Sequence, residues 1–383
     1  MEEINEKFHM NLLNFNESKR EQWMKERKPF SALFEITPRC NFNCIHCYLQ
    51  NSHSFPQISL DRIKKIIDIL YDNSILFLTL TGGEILTRSD FIDIYMYAKK
   101  KGFLIELFTN GYLFTDEIIN VLHKYPPLLV DITLYGGNDE TYYKVTGVKN
   151  ALTRVLENCR KLKVADVRFT LKSPIISTTY NEINDMKQIA DNLEVSFVHT
   201  FDIIPTIEKN ENPRKLQLPL SIILKNEFDN HFELIAKGKR EEGKLNYDEI
   251  AKLAENDCVY ACNVAMNSFV IDYSGKMCPC MKLRHKGIVL TETNYSEIWQ
   301  SFKKYSGYKA TENYKCKGCP SRYYCDICPA EMDFLYNDME FRPDFVCVPA
   351  KIRQKFYEQN ITYKEAIQLA DFYDKNRSGK EVQ

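Results

Sequence analysis

Three cysteines, Cys40, Cys44 and Cys47, fall within eight positions in the stretch "TPRCNFNCIHCYLQ", and thiols set so closely suggest a metal site. A structural zinc ion takes four protein ligands and closes, so C-x3-C-x2-C with no nearby fourth cysteine leaves such an ion one ligand short. His46 could be the fourth, but it is the chain neighbour of Cys47, and adjacent residues rarely converge on one tetrahedral ion. A cubane iron–sulfur cluster has four irons, so three cysteinates leave one iron open to an exogenous ligand. A second set of thiols follows far down the chain: Cys258 and Cys262, then Gly275 and Cys280 as G-x4-C, then "CKGCPSRYYCDIC" with Cys316, Cys319, Cys325 and Cys328, then Cys347. Repeated C-x2-C is also a zinc-knuckle signature, so this half alone leaves zinc and iron–sulfur both open.

The elements that must position these thiols can be read from periodicity. Short apolar runs alternate with amphipathic segments from residue 31 to about 205: "ALFEIT", "ILFLTL", "FLIELFT", "LLVDITL", "VRFTLKS" and "VSFVHTF" read as strands. Between them lie helices, the first capped by Ser59 with Leu60, Ile63, Ile67 and Leu70 at helical spacing. With a last helix at 218–237 this makes six strand-helix units, too few for a closed eight-fold barrel but right for a partial (β/α)6 TIM-like barrel of the α/β class. Active sites of such barrels lie at the C-terminal ends of the strands, and the three-thiol stretch directly follows the first strand. Beyond about residue 240 a charged connector, "KGKREEGKLNYDE", leads into a loop-rich region dense in cysteine. The expected organisation is an N-terminal extension (1–30), the barrel (31–240), a cysteine-rich domain (250–350), and a terminal helix and polar tail (351–383).

Bulk properties narrow the function class. The chain has 383 residues and a formal charge of −1, from 51 basic and 52 acidic side chains, so no basic excess argues for nucleic acid. No apolar run reaches membrane-span length and no secretion signal is visible at the N-terminus, so a cytoplasmic protein without a membrane partner is expected. Thirteen cysteines at that address point to metal rather than disulfides. Cys159, on an expected helix, reads as a packed, inert thiol.

"CNFNCIHC" resembles the C-x3-C-x-aromatic-C signature of radical S-adenosylmethionine (SAM) enzymes. The resemblance implies a 4Fe4S cluster on Cys40, Cys44 and Cys47, whose open iron is chelated by the amino and carboxylate groups of SAM. An electron from the cluster then cleaves SAM to methionine and a 5′-deoxyadenosyl radical that abstracts hydrogen from substrate. It also places His46 near the adenine, and "TLTGGE" resembles the GGE motif of that family, implying that Gly82, Gly83 and Glu84 hold the SAM amino group. "DITLYGG" resembles the fourth-strand segment, with Thr133 at the position that contacts the SAM ribose. Tyr135 stands where many relatives have Asp. Asn110, Gly111 and Lys172 are typical of the fold, without an assigned role.

The later cysteines resemble the SPASM domain, which houses two auxiliary 4Fe4S clusters, giving three in all. Its interleaved pattern implies Cys258, Cys262, Cys280 and Cys328 on the first auxiliary cluster and Cys316, Cys319, Cys325 and Cys347 on the second. Cys280 is preferred to Cys278 because it preserves G-x4-C, and Cys328 arrives one residue earlier than the family pattern. Most members of this group modify ribosomally made peptides or proteins, so an oxidative peptide or protein maturase is expected, served by a low-potential electron donor such as flavodoxin or ferredoxin. The alternatives are a radical SAM enzyme acting on a small molecule or tetrapyrrole precursor, and a non-catalytic zinc-binding protein. Met281 occupies the position where sulfatase maturases carry an Asp base, which argues against that activity. About thirty residues precede the barrel, fewer than a leader-binding winged helix needs, so a separate leader-binding protein is a further expected partner.

Overall fold

The computed structural model describes residues 22–23, 25–50, 55–236 and 257–377. The connector expected after 237, most of the N-terminal extension and the last six residues lie outside that set. Six parallel strands carry the site: β1 (Ser31–Thr37), β2 (Phe77–Gly82), β3 (Leu104–Thr109), β4 (Leu129–Thr133), β5 (Phe169–Pro174) and β6 (Phe197–Thr200). The helices between them are α1 (Leu60–Asp72), α2 (Phe91–Lys100), α3 (Asp116–Lys124), α4 (Asp139–Thr146), α5 (Ala151–Val164) and α6 (Ile183–Leu193), and α7 (Leu220–Ala236) follows β6. Local chemistry sets the helix starts. Ser59, Thr115 and Asn138 each accept a hydrogen bond from the backbone N–H three residues on, the N-cap arrangement that satisfies an otherwise orphaned donor.

Alternation along the strands divides the sheet into two faces. Ala32, Phe34, Ile36, Leu78, Leu80, Ile105, Leu107, Val130, Ile132 and Leu171 are fully buried in the main core. The opposite face is polar: Thr79 donates to Glu106 at 3.3 Å, Thr170 to Asp131 at 2.5 Å, and Lys172 pairs with Asp131 at 3.3 Å while lying over the Phe108 ring. That inner polar face lines the partial barrel.

The C-terminal region is built onto the same sheet. Strand β7 (Ser268–Ile271) pairs parallel with β1, and β8 (Lys276–Cys278) and β9 (Ile288–Val289) continue antiparallel, giving the order β6-β5-β4-β3-β2-β1-β7-β8-β9. Helix α8 (Tyr295–Ser306) sends Ile298, Trp299 and Phe302 into the main core. The loop-rich region therefore shares the barrel's hydrophobic core and adds three strands to its sheet, which its short apolar runs did not disclose. After α9 (Pro329–Tyr336) come α10 (Asp344–Tyr357) and α11 (Tyr363–Arg377), which pack on α7 around Leu224, Phe228, Ile352, Tyr357 and Ala370. The carboxylate of Asp374 caps α7 by accepting from the N–H groups of Leu220 and Ser221 at 2.8 and 3.0 Å. No helix among the described residues is long and apolar enough to cross a membrane.

Candidate functional site

The three-thiol loop leaves the C-terminal end of β1 and is held from two sides. Asn43 and Ile45 donate their N–H groups to the carbonyls of Thr146 and Val145 at the end of α4, at 2.9 and 3.0 Å. On the other side, the N–H groups of Gly83 and Glu84 donate to the carbonyls of Thr37 and Arg39 at 2.9 and 2.7 Å. The approach leaves no room for a side chain: a Cβ on Gly82 would lie 2.1 Å from the Thr37 oxygen, and one on Gly83 2.3 Å from the Arg39 oxygen. Gly82 also has φ +143°, which L side chains rarely adopt.

Donors already point at the thiols. The Phe42 N–H reaches the Cys40 sulfur at 3.3 Å, the Leu49 N–H reaches the Cys47 sulfur at 3.4 Å, and the Asn110 amide lies 3.8 Å from Cys40. The Tyr135 side chain lies beside Cys44, where its hydroxyl offsets part of the rise in that thiol's pKa. Burial, with the neighbouring Glu84 and Cys47 charges, nevertheless pushes the Cys40 thiol up to about 12. Burial and the other two thiols raise Cys44, and burial raises Cys47. Without a cation to neutralise them these groups stay protonated. His46 lies beside the loop with its ring 5.6 Å from that of Tyr135, and burial pushes its pKa down to about 4. Its Nδ1 and the Asn41 amide nitrogen are buried without a hydrogen-bond partner, a deficit that a polar ligand would relieve.

The structure brings Glu84 to the loop but engages its carboxylate within the protein. It accepts from Leu86 N–H (3.0 Å), the Thr109 hydroxyl (2.7 Å) and Asn110 N–H (2.6 Å), and the side chain is fully buried. Three of about four acceptor positions on the carboxylate are thus taken. Asn110, whose role the sequence left unassigned, relays this contact to the thiol loop by donating from its side chain to Asn41 at 2.8 Å. Thr133 sits at the end of β4, its carbonyl accepting from the Tyr142 hydroxyl at 3.2 Å.

The C-terminal thiols fall into two groups. Cys280 interacts electrostatically with Cys328 and Cys262, and Cys262 with Cys328. Cys316 interacts with Cys325 and Cys347, and Cys319 with Cys347. Cys258 also has neighbours in the second group. It lines a cavity of about 100 Å³ with Cys316 and Cys319, and its carbonyl accepts from Arg322, in the loop of that second group, at 3.4 Å. Cys278 is fully buried, its sulfur facing the carbonyls of Lys276 and Arg284, while Cys280 faces its sister thiols. Cys159 is fully buried on α5. Among the described residues no three His, Cys, Asp or Glu side chains converge closely enough to hold a single metal ion; the thiol groups are open.

A buried ion pair that sequence reading missed joins the two ends of the chain. Glu35 on β1, fully buried, accepts from Arg284, from the Tyr48 hydroxyl at 2.9 Å and from Tyr273 N–H at 3.3 Å. Tyr48 adjoins Cys47 and Arg284 follows Cys280 by four residues, so the pair ties the first thiol loop to the first C-terminal group. Partners 249 positions apart leave no local signal.

Comparison with known proteins agrees with this layout. The sequence profile of the radical SAM superfamily matches residues 34–190, and that of the SPASM iron–sulfur cluster-binding domain matches residues 262–320. The chain carries a radical SAM domain followed by a SPASM domain. This radical SAM protein is 26% identical over 349 residues to the AdoMet-dependent heme synthase of Methanosarcina barkeri, covering 84% of this chain and 98% of that one. It is also 26% identical over 318 residues to the subtilosin biosynthesis protein AlbA of Bacillus subtilis, covering 78% and 67%. Among solved structures, Streptococcus suis SuiB bound to S-adenosylmethionine superposes with a TM-score of 0.64 at 16% identity, over 83% of this chain and 77% of that one, which shows the shared fold. The protein is an enzyme whose cofactors are SAM and multiple 4Fe4S clusters. The residues present fit them: three thiols with donors aimed at sulfur, a glycine cradle beside them, and two orphaned polar atoms.

Proposed function

We propose that this enzyme oxidatively modifies a side chain of a ribosomally synthesised peptide or protein, for example by cross-linking it. In this reading Cys40, Cys44 and Cys47 hold the cluster that binds SAM, His46 and Thr133 face its adenine and ribose, and Gly82, Gly83 and Glu84 shape the amino-group end. When bound, that cluster supplies the electron that cleaves SAM to a hydrogen-abstracting 5′-deoxyadenosyl radical. Tyr135, beside Cys44 and packed against His46, orients the loop, and the polar inner face of the barrel receives the substrate. After hydrogen abstraction, a product two electrons more oxidised must shed one further electron and a proton. The thiols of residues 250–350 would hold the acceptors, with Cys262, Cys280 and Cys328 in the nearer group.

The observation that carries this reading is the two separate C-terminal thiol groups, which would give an oxidised product somewhere to leave its second electron. A second reading, action on a small molecule or tetrapyrrole precursor, is favoured by the heme synthase relative that aligns over nearly its whole length. Anaerobically reconstituted enzyme with SAM and reductant separates them. Short peptides encoded beside the gene should lose about two mass units per modification, whereas conversion of a tetrapyrrole precursor instead would reverse the choice. A flavodoxin or ferredoxin is the proposed electron donor, and a separate leader-binding protein a proposed partner.

A further inference from the structure

Among the described residues strand β6 ends the sheet, with no described strand beside its outer edge. Its register fixes which backbone groups face that edge. The carbonyls of Ser196 and Thr200 accept from Leu171 and Ile175 on the β5 side at 2.9 and 2.8 Å. Alternate residues of a strand point their N–H and C=O groups to opposite neighbours, so Ser196, Val198 and Thr200 serve β5. Phe197 and His199 direct theirs outward, and among the described residues neither set of outward groups has a hydrogen-bond partner.

His199 of this edge strand lines a cavity of about 670 Å³, within the roughly 300–1,000 Å³ range of ligand sites. His199, Phe201, Arg214, Lys282, Cys328 and Glu331 are among the residues that line it. Its charged lining is tied together: Glu331 pairs with both Arg214 and Lys282, the latter at 2.5 Å, and Lys282 also reaches Asp202 at 3.2 Å. The edge strand is stiffened by rings, with Phe197 stacked on His199 at 5.8 Å and His199 edge-on to Phe201 at 5.3 Å. Cys328 brings the nearer C-terminal thiol group to the same space.

We infer that this cavity is the substrate's docking site and that the substrate binds as an extended peptide, adding a strand to the outer edge of β6 through the main chain of Phe197 and His199. The inference rests on the proposed peptide chemistry and specifies how the peptide is recognised. An open strand edge offers alternating donors and acceptors at the repeat of a polypeptide, and main-chain pairing of this kind gives affinity without demanding a particular sequence. A tetrapyrrole presents no such repeat. Side chains of the added strand would alternate between the barrel interior, where Val198 is 61% exposed, and the cavity lined by Arg214 and Lys282.

The test uses the cluster-loaded enzyme and a displayed library of short random peptides. An enriched peptide is measured against wild type, His199→Pro and His199→Ala. Proline deletes the outward N–H and leaves the β5 ladder intact, since proline is tolerated on an edge whose N–H faces away from the sheet; alanine removes only the ring. Binding should weaken about tenfold or more in His199→Pro, as for loss of one main-chain hydrogen bond, and within roughly threefold in His199→Ala. N-methylation along the peptide, measured on wild-type enzyme, should weaken binding at alternate positions only, which keeps the test available if the proline variant loses its iron. Equal losses in the two variants, or N-methyl effects without alternation, would overturn edge docking and leave the peptide reading standing. A library that yields no binder, while an iron coproporphyrin binds, would remove the peptide reading and this inference with it.

Discussion

At the scale of single residues, the protonation of the thiol loop is the property with the sharpest consequence. Burial raises Cys40 to about 12, and Cys44 and Cys47 are raised as well, yet the ligand form of cysteine is the thiolate. Each must therefore give up a proton when iron binds, so loading improves as pH rises and continues to improve up to the raised pKa. We expect the apparent affinity for iron and sulfide at this loop to climb by up to about tenfold per thiolate per pH unit between roughly pH 7 and 9. Iron uptake followed by absorbance checks this, and uptake that is flat or falls with pH contradicts it. Glu84 gives a second expectation. With its carboxylate bonded to two backbone N–H groups and a hydroxyl, Glu84→Ala strands two buried donors at about 1–3 kcal/mol each. Chemical denaturation should show a loss of roughly 2–6 kcal/mol, with Glu84→Gln losing less. An alanine variant of unchanged stability that merely binds SAM more weakly would restore the direct amino-group role. The thiol spacing was legible because three cysteines within eight positions are a local pattern. The carboxylate's protein partners were not, since Thr109 and Asn110 lie more than twenty positions away.

At the scale of elements, the loop is positioned by contacts between units that are distant in sequence. The Glu35–Arg284 pair is fully buried on the Glu35 side, and breaking a buried pair from one side leaves an uncompensated charge at a cost of about 3–5 kcal/mol. Arg284→Met should therefore destabilise the protein by that amount in denaturant titration, and the further change Glu35→Gln should recover most of it by removing the stranded charge. If the double variant is no more stable than the single one, the pair is not the link described. The six barrel strands and most of the helices could be read from periodicity because each buries one face against the same core. Helix α4 escaped: it is eight residues long and lies between two turns, and its apolar positions are too few to set a period. Yet its last turn anchors the thiol loop through Val145 and Thr146. Strands β7, β8 and β9 span four, three and two residues, too short for alternation to register.

For the whole molecule, the separation of the thiol groups predicts a separation of functions. Replacing Cys316, Cys319, Cys325 or Cys347 with Ala should leave SAM cleavage to 5′-deoxyadenosine measurable while product is lost, whereas replacing Cys40, Cys44 or Cys47 should end cleavage altogether. Chromatography of both products decides it: a distal variant that has lost its cluster, remains folded and makes product at the normal rate would reduce those thiols to staples. The partial barrel and the cysteine-rich region were legible as separate textures, but their fusion into one sheet was not, because the β1–β7 pairing depends on residues more than 230 positions apart. That pairing also bears on how the protein is made. Strand β1, which launches the thiol loop, leaves the ribosome about 230 residues ahead of β7, a lag of roughly 10–50 s at ordinary elongation rates. During that interval the strand has β2 on one side and a bare edge on the other, and Arg284 has not yet arrived to meet Glu35. The order of synthesis therefore places completion of the frame around the first metal site after translation of the C-terminal region, so the nascent chain carries Cys40, Cys44 and Cys47 before the frame that buries them is finished.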